Sequence, residues 1–276
     1  MTGRTILVLG ATGKTGRRVV ARLRAAGEQV RAASRSADVR FDWADRSSWL
    51  AALSGATAVY LVVPEEVEPV APFVELAVEA GVERFVVLSG RGADTYGDSA
   101  FGRSMIAAER AVRDSGADWT IMRPNNFNQN FDEDLFHAPV VAGRLALPIG
   151  DVPEPFVDAA DVADVAAALL TEDGHAGQVY ELSGPRALTF ATAVESIATA
   201  SGREVRFVEL TSPEYLAELV AGGVPGEAAH ALTAMFDLLR RGTLAEPTDG
   251  VQRVLGRAPR DFDSYVAAAA AAGAWA

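Results

Sequence analysis

The residues best suited to chemistry stand close to the N-terminus. Gly10, Gly13 and Gly16 recur at every third position in Gly10-Ala11-Thr12-Gly13-Lys14-Thr15-Gly16. The apolar run Ile6-Leu7-Val8-Leu9 precedes them, and a helix-patterned segment with Val19, Val20 and Leu23 on one side follows. A strand, a glycine turn and a helix N-terminus make an anion site: the unpaired N–H groups of the first helical turn and the positive end of the helix dipole both favour a phosphate. Gly10 permits the turn, Gly13 lets the backbone approach a pyrophosphate, and Gly16 lets the helix pack closely on the strand. Gly13-Lys14-Thr15 also resembles the end of a nucleoside-triphosphate loop, but that loop needs a glycine where this chain has Val8. The spacing therefore points to a dinucleotide, held by Gly10, Thr12, Gly13, Lys14, Thr15 and Gly16.

The next strand selects the dinucleotide. Gln29-Val30-Arg31-Ala32-Ala33 should end in an acid if NAD(H) were bound, and it ends in Ser34-Arg35. A hydroxyl and a guanidinium suit a 2′-phosphate through charge-assisted bonds, which favours NADP(H) over NAD(H). The blander reading makes Arg31, Arg35 and Arg40 solvated surface charges. Phe41-Asp42-Trp43 closes a third short strand, where Asp42 and Trp43 could flank the adenine.

Composition narrows the class. The chain has 276 residues, 49% of them hydrophobic, enough for one large α/β unit or a domain with a small lobe. No apolar run approaches the about 18 residues of a membrane span, and no signal peptide is visible. A net charge of −12 argues against nucleic acid as a partner. There is no cysteine, and His137, His175 and His230 lack metal-site spacing, so no metal is expected. The chain reads as cytoplasmic. Of its 25 basic residues only Lys14 is a lysine, which excludes any mechanism that needs a lysine outside the glycine loop.

Strands and helices alternate as a parallel sheet requires. Helices are expected near 47–53, 67–80, 99–115 and 158–170, and strands near 58–63, 84–88, 119–123 and 178–182. In open α/β sheets ligands lie beyond the C-terminal ends of the strands. Gly10, Ser34, Pro64, Ser89 and Pro124 then share one rim, and Val63 and Gly90 are further candidate cofactor-binding residues. The fold expected is a Rossmann-type doubly wound parallel sheet with a small, mostly helical C-terminal lobe. No low-complexity linker divides residues 1–276. They read as a single unit, with a core sheet from about 1–155, a returning strand near 178–182 and a smaller substrate lobe from the remaining C-terminal segments. That remainder offers helices near 190–200, 212–221, 226–240 and 261–272 and one short strand near 205–208.

These stretches together carry a resemblance. The glycine loop, Gly81-Val82-Glu83-Arg84-Phe85-Val86-Val87-Leu88-Ser89-Gly90 and Trp119-Thr120-Ile121-Met122-Arg123-Pro124-Asn125-Asn126-Phe127 are similar to the NmrA-like family of atypical short-chain dehydrogenases, over nearly the whole chain. Asn128-Gln129-Asn130-Phe131, Leu147-Pro148-Ile149-Gly150 and Pro155-Phe156-Val157-Asp158 resemble its festuclavine-dehydrogenase and ergot-alkaloid-reductase branch. The resemblance implies NADPH-dependent quinone, imine or enone reductases, or non-catalytic redox sensors. It places Ser89 where the family has its active-site serine, a candidate catalytic residue that could donate a hydrogen bond to a substrate oxygen or the nicotinamide, with a turn or cap serine as the alternative. It brings Asn125, Asn126 and Phe127 towards the nicotinamide, unless they form an ordinary polar loop. It also sets Arg103 near where relatives carry a lysine or histidine by the nicotinamide ribose.

One departure is mechanistic. The usual Tyr-x-x-x-Lys pair is absent: Tyr96 is the only tyrosine in the expected stretch, and Ala100 stands four residues on. Arg103 can donate hydrogen bonds but, with a pKa above about 12, is a poor proton carrier. Tyr96 and His137 remain as candidate proton donors; a pocket or surface tyrosine and a structural histidine are the alternatives. Asp132-Glu133-Asp134 could attract a cationic substrate or simply start a helix. Phe127, Phe131 and Phe136 could wall an aromatic pocket or pack the core.

Hydride transfer without a strong proton donor suits an acceptor that is already activated. An iminium ion carries its own positive charge and a quinone accepts hydride readily, whereas a simple ketone needs a donor beside the developing alkoxide. The expected function is an NADPH-dependent reductase of an imine or iminium, quinone or enone, and the pocket-type aromatics favour a cyclic or aromatic small molecule. A non-catalytic NADP(H) sensor is the alternative, and an isomerase or epimerase with a tightly bound cofactor a weaker one.

Overall fold

A computed structural model describes residues 4–64, 67–95 and 100–276. The chain begins β1 (Thr5–Leu9), α1 (Gly16–Ala25), β2 (Gln29–Ser34), β3 (Val39–Arg40), α2 (Ser47–Leu53), β4 (Ala58–Val62) and α3 (Val70–Glu79). It continues through β5 (Arg84–Leu88), α4 (Ala100–Asp114), β6 (Asp118–Pro124), α5 (His137–Val141), β7 (Arg144–Leu147), α6 (Ala159–Thr171) and β8 (Gln178–Leu182). The last elements are α7 (Phe190–Ser201), β9 (Arg206–Glu209), α8 (Ser212–Ala221), α9 (Gly226–Leu239), α10 (Gly250–Leu255) and α11 (Phe262–Ala271). None of the described helices is long and apolar enough to cross a membrane.

The chain divides into two compact units. The first comprises Met1–Pro124, Ala159–Leu182 and Asp249–Ala258. Its sheet has seven strands in the order β3-β2-β1-β4-β5-β6-β8, all parallel. Parallel strands covered on both faces must be apolar at successive positions rather than at alternate ones. Ile6 to Leu9, Val59 to Leu61 and Phe85 to Val87 meet that condition, each fully buried. Helix α1 packs on α6, and α3 packs on α2 and α4. The strand order reverses between β1 and β4, which is the switch point where this class of sheet binds dinucleotides. The Rossmann-type doubly wound fold read from the sequence is therefore present.

The second unit comprises Asn125–Asp158, Ser183–Thr248 and Pro259–Ala276. It holds α5, α7, α8, α9 and α11 with a two-stranded parallel sheet of β7 and β9. Its interior is built on rings. Phe131 lies 5.1 Å from Phe136, 5.3 Å from Phe156 and 5.7 Å from Phe262, centroid to centroid, and Phe190 packs edge-on against Phe136 and Phe156. Local signals set its helix ends: Thr189 caps α7, and Thr211 with Glu214 forms a capping box on α8.

Three details differ from the sequence reading. The third strand stops at Arg40, because Asp42 turns the chain by accepting from Ala44 N–H, and Phe41 to Trp43 follow as a loop. Strand β7 and helix α10 carry too few residues for a periodic signal, and the sequence alone does not reveal them.

Candidate functional site

The glycine loop is a tight backbone construction. Gly10 has φ +62°, a left-handed conformation that suits glycine, and its carbonyl accepts from Gly13 N–H at 2.9 Å. A side chain on Gly16 would run into the Gly10 carbonyl, so only glycine lets α1 start this close to β1. Ala11 N–H is held by the Ala33 carbonyl of β2 at 3.0 Å. The N–H groups of Thr12, Thr15 and Gly16 make no hydrogen bond to described residues. Unpaired amides at the start of a ten-residue helix fit a pyrophosphate, and the positive helix end adds to them.

The end of β2 meets this loop. Thr12 and Ser34 are hydrogen-bonded through their hydroxyls at 3.2 Å, and Ser34 Oγ also accepts from Ser36 N–H. Arg35, next in the chain, is exposed and forms no ion pair among the described residues. Lys14 is half-buried, and its carbonyl accepts from Arg18. Asp42 and Trp43 are both half-buried. Trp43 packs edge-on against Phe41, Trp49 and Phe73, and the Asp42 carbonyl accepts from Trp49 Nε1 at 3.0 Å. Val63 and Pro64 follow β4, whose Val62 side chain lies against Gly10.

Ser89 follows β5 and enters a buried polar cluster that the sequence reading misses. Its hydroxyl donates to Glu109 Oε1 at 2.7 Å. Glu109 is wholly buried on α4, and Arg123 of β6 grips it twice, Nε to Oε1 at 2.9 Å and Nη2 to Oε2 at 2.8 Å. Arg113 adds a 3.2 Å contact to Oε2, and Arg123 Nη1 reaches Asp94 at 3.1 Å. The bond to Glu109 raises the Arg123 pKa against the opposing effect of burial. A lone acid on the α4 face that also carries Ala108 and Val112 is the signal that could have revealed this cluster. Gly90 continues the loop, and Arg91 N–H donates to the Pro124 carbonyl at 3.0 Å. Arg103 lies exposed on α4, and Tyr96 falls outside the described residues.

After Pro124 the chain enters the second unit. Asn125 is buried and donates through Nδ2 to Glu154 Oε1 at 2.8 Å; the same oxygen accepts from Asn126 N–H at 3.2 Å. Phe127 is half-buried and bridges to Val157. Glu154, also missed from sequence, thus fixes the path of Asn125 and Asn126. Asn128 is wholly buried, and both polar atoms of its side chain lack a partner among the described residues.

The other candidates have structural surroundings. His137 bonds through Nε2 to the Ala274 carbonyl at 2.9 Å. Asp132 accepts from the Tyr265 hydroxyl at 2.8 Å, and burial, then Asp132 itself, pushes that phenol far above its ordinary pKa. Phe131 and Phe136 are buried in the ring core of their unit. Tyr60, on β4, is fully buried, which likewise raises its phenol well above the ordinary value.

Comparison with known proteins agrees with this frame. The model of the NmrA-like family matches residues 2–266, and the chain belongs to that family. A (4-alkanoyl-5-oxo-2,5-dihydrofuran-3-yl)methyl phosphate reductase of Streptomyces griseus is 36% identical over 95% of this chain and 96% of its own. An NAD(P)H azoreductase of Xenophilus azovorans is 32% identical over 97% and 98%. A festuclavine dehydrogenase of Aspergillus fumigatus is 32% identical over 94% and 95%, in keeping with the branch resemblance. Among solved structures, a triphenylmethane reductase of Citrobacter shares the fold with a TM-score of 0.78, at 22% identity over 96% of this chain and 99% of that one.

Proposed function

We propose that the protein is an NADPH-dependent reductase that delivers hydride to an activated acceptor, an imine or iminium, a quinone or an enone, without a Tyr-x-x-x-Lys pair. The observation that carries the cofactor reading is the end of β2. There Ser34 meets Thr12 of the glycine loop, and Arg35 stands exposed without an ion pair among the described residues. A dinucleotide acid site would place a carboxylate there, and a guanidinium beside a hydroxyl suits a 2′-phosphate.

The bound dinucleotide supplies the hydride, and this chain's residues hold and orient it. Gly10, Gly13 and Gly16 open the backbone to the pyrophosphate, and the amides of Thr12, Thr15 and Gly16 receive it. Ser34 and Arg35 hold the 2′-phosphate, with Lys14 adding positive charge. Asp42 and Trp43 border the adenine. Val63, Pro64, Ser89, Gly90, Arg103, Pro124, Asn125, Asn126 and Phe127 serve the nicotinamide half. Lys14, the only lysine in the chain, lies in the phosphate loop, so no lysine is available to lower a tyrosine pKa. The acceptor must therefore need little proton help at the moment of transfer. The names of the relatives support small, conjugated or nitrogen-containing acceptors, and a cytoplasmic setting fits this chemistry.

Oxidation of NADPH by the purified protein, followed against cyclic imines, quinones and enones, tests the proposal. Turnover with at least one class supports it. Tight NADP(H) binding with no turnover across the panel would contradict it and favour a sensor.

A further inference from the structure

The direction of one hydrogen bond reverses the role expected of Ser89. Glu109 lies in a fork of two bonds from Arg123, at 2.9 and 2.8 Å, with a third cationic contact from Arg113. A carboxylate held this way by guanidinium groups is an acceptor only. The 2.7 Å bond between Ser89 and Glu109 must then run from the serine hydroxyl to the carboxylate. A serine has a single hydroxyl proton. With that proton on Glu109, Ser89 Oγ keeps lone pairs alone: it can accept a hydrogen bond from a ligand and cannot donate one.

The fold says which half of a dinucleotide comes near. The strand order reverses between β1 and β4, and the pyrophosphate belongs over the glycine loop at that point. With Ser34 and Arg35 on the β2 side taking the adenosine half, the nicotinamide half extends over β4 and β5. Ser89 is the first residue after the C-terminal end of β5. The nicotinamide ring carries one substituent with N–H donors, its carboxamide.

Resting on the NADP(H) reading, we propose that Ser89 is the acceptor for the N–H of the nicotinamide carboxamide, not a donor to substrate oxygen. Glu109 and Arg123 are positioning residues that fix the direction of the serine hydroxyl. The pair would set the orientation of the nicotinamide ring and so the face from which hydride leaves. It also removes Ser89 from the candidate proton sources for the reaction.

Calorimetric titration with NADP⁺ and with its 3-acetylpyridine analogue tests this directly. The analogue replaces the carboxamide by an acetyl group, which keeps the carbonyl and lacks the N–H. The wild-type protein is expected to prefer NADP⁺ by about 3- to 10-fold, the usual range for one net hydrogen bond. Ser89→Ala is expected to bind the two within about twofold of each other, with thermal melting confirming that the variant is folded. Glu109→Gln, whose amide can donate to Ser89 and free the serine proton to donate to the carbonyl that both ligands carry, should narrow the preference. Equal affinity of the wild type for both ligands, or a preference that survives in Ser89→Ala, would overturn the proposal. Wild-type protein that binds neither ligand would instead overturn the NADP(H) reading beneath it.

Discussion

The strand-end cluster around Glu109 and the ring core around Phe131 organise the chain by opposite means. In the first, Ser89, Asp94, Glu109, Arg113 and Arg123 are joined by directional, charged bonds. In the second, Phe131, Phe136, Phe156, Phe190 and Phe262 make tilted and edge-on ring contacts, and the segment carrying Asn125 to Asp158 is built on them. Ring packing tolerates small shifts and contributes mainly by burial. A buried ionic cluster contributes less net stability, but it specifies which atom donates and which accepts. The charged device occurs where a strand ends at the candidate cofactor site, and the rings occur where only a firm support is needed.

Truncating the rings should have the largest effect on folding. Phe131→Ala removes the ring that contacts four others and should cost roughly 3–5 kcal/mol, read from denaturant unfolding. A loss below about 1 kcal/mol would mean that the core repacks easily, and the contrast would fail.

The ionic cluster should behave differently. Glu109→Leu alone leaves the Arg123 charge buried without its main partner and should cost about 3–5 kcal/mol. Combining it with Arg123→Met should recover much of that loss, because replacing both partners by apolar groups is often near neutral. The double variant should fold yet show no preference for NADP⁺ over the acetylpyridine analogue. Recovery of both stability and preference would show that the cluster has no part in ligand recognition.

Arg35→Ala should leave stability unchanged, since the side chain is exposed. It should weaken NADPH binding by about 10-fold or more, as expected for lost charge-assisted bonds, while NADH binding changes little. Equal weakening of both would remove the 2′-phosphate assignment.

The smallest effect is an alkaline one. Burial pushes the Tyr215 phenol up to about 12. Because its folded pKa lies above its unfolded value, its contribution is intact below pH ~10. It falls as pH rises through the folded value near 12, where the unfolded chain gains by ionising. Tyr215→Phe should flatten that part of the stability profile, measured by melting across the alkaline range.

What the sequence made legible follows from locality. The glycine loop and the Ser34-Arg35 strand end are contiguous patterns, and each stands where its elements alone would place it. Glu109 and Arg123 belong to different elements of a parallel crossover, so neither carries the other's signal. The clue was only an acid on an apolar helix face. Phe131 and Phe136 fit a pocket wall and a core equally well by spacing. Phe190 and Phe262, distant in the chain, decide in favour of the core. His137 is ambiguous by sequence for the same reason, since its partner is the Ala274 carbonyl at the far end of the sequence.

In the proposed reaction hydride passes directly from NADPH to the activated acceptor. NADPH carrying deuterium at C4, prepared separately in its two stereochemical forms, tests it when combined with a reducible enone or cyclic imine and mass analysis of the product. One deuterium is expected on the product carbon from one form and none from the other. No labelled product from either form, with an enone or imine that the protein consumes, would contradict it.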